Sequence, residues 1–154
     1  MVWEQLKEEL IVTNLDAKTQ DDVFEAVGSL MTQAGYTKDT YVEALKEREK
    51  DYPTGLDIGG FGVAIPHTAA DYVNEAITGI ATLKNPVDWV QLGSADDHVD
   101  VNIVFVLAVK DPNAHLDYLQ TIVGILQNKE AMQEILKQDD PAKIIEIIKR
   151  EETK

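Results

Sequence analysis

The run Asp100-Val101-Asn102-Ile103-Val104-Phe105-Val106-Leu107-Ala108-Val109 constrains this chain more than any other feature. It is apolar and β-branched almost throughout, yet far shorter than the roughly 20 residues that a membrane-spanning helix needs. It therefore reads as a central β-strand covered on both faces. Two further segments, Phe61-Gly62-Val63-Ala64-Ile65 and Ala76-Ile77-Thr78-Gly79-Ile80-Ala81-Thr82-Leu83, share this habit and are bounded by Gly, Pro, Asn and Asp. The short piece Val87-Asp88-Trp89-Val90 is expected as an additional edge strand.

Such a sheet needs helices to cover it, and the sequence supplies them on both sides. The first sixty residues read as helical, with apolar side chains recurring at three and four from Gln20 to Met31, Thr19 as N-cap and Gly35 as the stop. A second helix is expected from Thr37 or Asp39 to about Lys50, broken by Pro53 and Gly55, and packed on the first as a hairpin. Helical periodicity returns after Pro112 in three segments: His115 to Leu126, Glu130 to Leu136, and Pro141 to Ile148, with Asp139 or Asp140 as cap of the last. The expectation is an α/β fold, a mixed β-sheet of about four to five strands flanked by helices on both faces. With no linker or repeat, residues 1–154 are expected to form a single domain.

Charge and cysteine content narrow the chemistry. There are 28 acidic against 14 basic residues, a net charge of −14. A surface of that sign repels phosphate backbones and anionic lipids, which argues against nucleic acid and direct membrane insertion. The absence of cysteine removes disulfides, thiolate metal sites and a cysteine nucleophile. Charges near the N-terminus stand where a signal peptide needs an apolar core, so a cytoplasmic address is expected. Nothing in the sequence implies a cofactor or a bound metal, and the histidines lack the His-x-x-x-His and His-x-His spacings of common metal sites.

The chain has three histidines, and His67 is the one with an informative position. Pro66 cannot donate to a sheet ladder and biases Ile65 toward extended backbone, so the strand should end there and present His67 at a sheet edge or mouth. Neutral imidazole is a nucleophile near pH 7 and a good leaving group afterwards, the pair of properties that phosphoryl relay between proteins requires. Either ring nitrogen is open to that role. His115, just after the long strand, can converge on the same crevice and donate to phosphoryl oxygens. Arg48, in the charged run Lys46-Glu47-Arg48-Glu49-Lys50, offers a planar fork of donors for the same anion. His98, within Asp96-Asp97-His98-Val99-Asp100, reads as part of an acidic loop without a role.

Arg48-Glu49-Lys50, Pro53-Thr54-Gly55-Leu56 and Val63-Ala64-Ile65-Pro66-His67-Thr68 together resemble the active-site region of the type-2 IIA domains of the bacterial sugar phosphotransferase system. Those form the fructose–mannitol class, and the Pro-Thr-Gly-Leu and Ile-Pro-His-Thr segments are most similar to its galactitol branch. The resemblance implies a phosphotransferase component in which His67 takes a phosphoryl group from HPr and passes it to a cysteine of a IIB component, in galactitol-like sugar uptake. It further implies that His115 and Arg48 assist at the phosphoryl group, that the sugar itself does not bind here, and that the fold is a mixed sheet between helices. A free-standing IIA is expected, the alternative being a regulatory IIA-like module in which the phosphorylation state of His67 controls binding to a target protein.

Overall fold

The chain enters its sheet immediately. Leu6–Leu15 (β1) is a strand, not the helix expected of the first sixty residues, and it runs parallel to Ile77–Val90 (β4) with Ile11 opposite Ile80. The run Lys7-Glu8-Glu9 gives the segment a helical look, but at a sheet edge those charges remain exposed while Leu10 and Ile11 are buried. In this computed structural model all residues 1–154 are described apart from the side chains of Pro112 and His115.

The helical stretch over residues 20–33 starts as anticipated. Thr19 Oγ1 accepts from the Asp22 amide at 3.2 Å, and the Asp22 carboxylate accepts in return from the Thr19 amide at 3.2 Å. This capping box satisfies two amides that the first turn leaves open. Gln20–Val23 (α1) passes through a π-helical turn, Phe24–Gly28, into Ser29–Gln33 (α2), and Gly35 ends the stretch at φ 89°. Tyr41–Asp51 (α3) packs back on it where Gly28 lacks a side chain: a Cβ there would lie 2.9 Å from Val42 Cγ2. The hairpin of helices is therefore present.

Gly55–Asp57 (β2), read from sequence only as a helix breaker, pairs antiparallel with Gly62–Ala64 (β3). His98–Ala108 (β5) is the central strand, as its composition requires, and the five strands run in the order β1-β4-β5-β3-β2. The β3–β5 and β1–β4 pairs are parallel and the β4–β5 and β2–β3 pairs antiparallel, so the sheet is mixed. Val87 to Val90 is not a separate edge strand. It is the second half of β4, paired to β5 from Val87↔Val101 to Val90↔His98, with a register shift between Thr82 and Val87 that absorbs Pro86. His98 likewise lies in a strand, its ring 2.9 Å from the Asp88 carboxylate on β4.

Beyond the sheet come Pro112–Leu126 (α4), Lys129–Leu136 (α5) and Pro141–Glu152 (α6), with Asp111, Asn128 and Asp140 side chains accepting from first-turn amides. Alternation along β5 divides the core. Ile103, Phe105 and Leu107 face Ile122, Leu126, Met132 and Ile144 from the C-terminal helices, whereas Val104 and Val106 face Phe24, Val27, Met31 and Tyr41. Helices thus cover both faces of the sheet. Tyr41 Oη donates to the Leu107 carbonyl at 2.8 Å, which pins the start of α3 to the end of β5.

Candidate active site

The site forms where β3 runs out beside the end of β5. Ile65 and Pro66 continue past β3 in extended form, and the Leu107 amide donates to the Pro66 carbonyl at 3.0 Å. His67 stands opposite Leu107 as a parallel bridge. The half-buried imidazole is therefore held at the carboxyl ends of two parallel strands, the place where open α/β sheets gather their ligands. Its Nδ1 lies 2.8 Å from the Ile65 carbonyl oxygen. A carbonyl only accepts, so Nδ1 carries the proton, and in the neutral ring the lone pair resides on Nε2.

The segment after His67 is tied down on two sides. Ala70–Tyr72 makes one tight turn, the Lys38 amide donates to the Tyr72 carbonyl at 2.9 Å, and Lys110 Nζ donates to the Val73 carbonyl at 2.9 Å. A cleft of about 350 Å³ opens over the imidazole, lined by Arg48, His67, Thr68, Ala69, Ala70, Asp71 and Val109. The structure thus brings Arg48 and His67 to one cavity. The Arg48 guanidinium lies 4.2 Å from the Tyr52 ring centre, a cation–π contact that orients its fork. The neighbouring groove, about 530 Å³, shares Arg48, Thr68 and Ala69 with the cleft and is rimmed by Glu43, Glu47 and Asp51. His115 belongs to α4, and its side chain lies outside the described residues.

Sequence reasoning passed over Glu49. It sits in the charged run of α3, yet it is 5% exposed and accepts from Thr54 N at 3.0 Å, Thr54 Oγ1 at 2.6 Å and Trp89 Nε1 at 2.5 Å. Only the spacing identifies it, since Glu49 falls four residues after the buried Leu45 on the inward face of α3. Burial raises its carboxyl above the ordinary value of 4.5, against the pull of those three donors. The folded state then holds this proton more tightly than the unfolded one, so stability falls as pH rises from 4.5 through the raised value. Urea titrations at a series of pH values should show wild type losing stability relative to Glu49→Gln over that interval. A pH-independent difference would contradict it.

Comparisons with known proteins identify the family of the fold. Residues 4–151 match the family model described as "Phosphoenolpyruvate-dependent sugar phosphotransferase system, EIIA 2". The chain is 30% identical to the galactitol-specific EIIA component of Escherichia coli K12 over 117 residues, 76% of this chain and 77% of that one. It is 26% identical over 145 residues to the mannitol-specific EIICBA component of Pasteurella multocida, covering 94% of this chain but only 22% of that longer protein. Among solved structures, nitrogen regulatory protein IIA-Ntr from Neisseria meningitidis superimposes with a TM-score of 0.78 at 26% identity, covering 96% of this chain and 98% of that one. Enzyme IIA-mannitol of E. coli, determined in complex with phosphorylated enzyme IIB-mannitol, gives 0.77 at 20% identity, over 94% of this chain and 97% of that one. These relatives define a class of protein, the phosphotransferase components. The chain belongs to the type-2 IIA family of the phosphoenolpyruvate-dependent sugar phosphotransferase system and is a phosphotransferase component of it.

Proposed function

We propose that the chain accepts a phosphoryl group from phospho-HPr on Nε2 of His67 and delivers it to a cysteine of a IIB component. The observation that carries this reading is the His67 Nδ1 to Ile65 carbonyl hydrogen bond inside the cleft shared with Arg48. The Nε2 lone pair attacks phosphorus, the bond from phosphorus to the donor's nitrogen breaks, and the ring keeps its Nδ1 proton on the Ile65 carbonyl. That carbonyl stabilises the positive charge which the ring acquires. In the second step the thiolate of IIB attacks the same phosphorus, and neutral imidazole leaves. Arg48 and His115 assist by donating to the phosphoryl oxygens.

Residues 1–154 act in this reading as one IIA unit in the cytoplasm, and among the described residues no helix is long and apolar enough to cross a membrane. The Pro53-Thr54-Gly55-Leu56 segment, with the galactitol-specific relative, supports a galactitol-like pathway. Incubation with Enzyme I, HPr and phosphoenolpyruvate, followed by purified galactitol-type and mannitol-type IIB, tests both the transfer and the branch. Phosphate that leaves for the galactitol-type IIB first supports the reading.

A second reading, a regulatory module switched by the phosphorylation state of His67, draws support from the 26% identity to IIA-Ntr. Stable binding of a target without onward transfer to either IIB would favour it. Under the carrier reading, Arg48→Ala is expected to slow transfer to IIB about 10²-fold, the effect of removing one preorganised donor. Arg48→Lys should recover only part of the rate, because an ammonium lacks the planar fork. Stopped transfer time courses measure both, and an unchanged rate in Arg48→Ala would remove that residue from the site.

A further inference from the structure

We infer that Glu49 is a positioning residue for His67, acting through Thr54 and Ile65 on the orientation and tautomer of the imidazole. The inference takes its functional meaning from the phosphocarrier reading above, while its geometry stands apart from it.

A continuous chain of contacts links the two. The Glu49 carboxylate takes the amide and hydroxyl of Thr54 and the indole N–H of Trp89, so one buried group joins α3, the loop entering β2, and β4. Thr54 is itself buried, at 2% exposure, and its carbonyl accepts from the Ile65 amide at 3.3 Å. Ile65 in turn offers its own carbonyl to His67 Nδ1 at 2.8 Å. Ile65 is thus clamped from Thr54 on its N–H side and holds the imidazole on its C=O side. Gly55 completes the seat: a Cβ there would lie 2.7 Å from the Val90 carbonyl, so the loop lies flush on β4.

A buried carboxylate among apolar neighbours is a poor device for stability alone, because an apolar side chain of similar volume commonly serves as well or better. It is a good device for fixing geometry, since three donors from two other elements converge on one carboxylate of α3. Arg48 and Glu49 are consecutive, and Arg48 lines the cleft while Glu49 anchors inward. The same anchor therefore fixes Arg48 relative to His67.

The test uses the full chain and three variants: Glu49→Gln, Glu49→Leu and Thr54→Val. The tautomer of His67 is read from ring ¹⁵N shifts of the unphosphorylated protein, and kcat and KM for phosphoryl uptake are measured with phospho-HPr. Glu49→Leu is expected to lower the Nδ1-protonated fraction and to reduce kcat about tenfold with KM unchanged, as loosened support of a reacting group does. Glu49→Gln keeps an oxygen able to accept the same donors and should restore both readouts close to wild type. Thr54→Val should move both in the direction of Glu49→Leu. A folded Glu49→Leu with the wild-type tautomer and kcat overturns the inference, as does a Glu49→Gln that falls as far as Glu49→Leu. If Glu49→Leu does not fold, Thr54→Val decides, and wild-type readouts there overturn it. Absence of phosphate on His67 in the wild type would sink the carrier reading, whereas the tautomer measurement would still judge Glu49.

Discussion

Replacing His67 with alanine is expected to abolish phosphoryl uptake from phospho-HPr while leaving the protein folded. The imidazole is the nucleophile in the proposed step, and no cysteine is present to substitute for it. The loss should exceed about 10³-fold, because alanine removes the atom to which phosphorus bonds. The fold should survive for reasons visible around the residue. His67 is half-buried at a cleft, its Nδ1 contact to Ile65 is local, and the Leu107 amide bond to the Pro66 carbonyl involves backbone alone. A stability change within about 1 kcal/mol follows from the absence of a core cavity. His98→Ala is the matched control, since that exposed ring pairs with the exposed Asp88 carboxylate and does not line the cleft. Full labelling of His67→Ala, or loss of labelling in His98→Ala, would contradict the assignment.

Gly62→Ala is expected to cause the largest loss of stability of any single methyl addition considered. A Cβ at Gly62 would lie 1.9 Å from the Asp100 carbonyl oxygen and 2.7 Å from its carbon. Those are backbone atoms of the central strand and cannot rotate away, so β3 must move from β5. Overpacking of this kind costs about 3 kcal/mol at the upper end of the ordinary range. For a chain of this length that corresponds to a fall in Tm of about 10 °C. The displacement also loosens the β3–β5 pairing from Gly62↔Val101 to Ala64↔Val104, on which the placement of His67 opposite Leu107 depends. Phosphoryl uptake should therefore weaken together with stability. Gly124→Ala in α4, where nothing lies within 4 Å of the added carbon, should be neutral or slightly stabilising. Thermal unfolding by circular dichroism separates the two, and equal Tm values would refute the close approach.

Much of the architecture was legible because composition and period agreed. The β5 run announced a central strand, and the Thr19, Gly35 and Asp140 signals were realised as caps or stops. The misreadings share one cause, namely long-range pairing overriding local pattern. Lys7-Glu8-Glu9 looks helical until β4 supplies a partner, and Asn85-Pro86 looks like a strand end until the register shift shows that β4 continues to Val90. Gly55-Leu56-Asp57 is too short to signal a strand, and only the turn that follows makes it one. There Asp57 Oδ1 accepts from the Gly59 and Gly60 amides at 3.0 and 2.8 Å, and both glycines take positive φ. The placement of His67 at a strand end was legible from Pro66, and the structure sets it in one cleft with Arg48. Glu49 was hidden, because a glutamate in a charged run looks solvated until tertiary packing turns it inward.

The most direct test of the phosphocarrier reading is ³¹P and ¹⁵N NMR of the ¹⁵N-histidine-labelled chain after incubation with Enzyme I, HPr and phosphoenolpyruvate. The account predicts one acid-labile phosphoryl group, coupled to Nε2 of His67, with the Nδ1 proton retained on the Ile65 carbonyl. Phosphate on Nδ1, on another residue, or in an acid-stable linkage would contradict it.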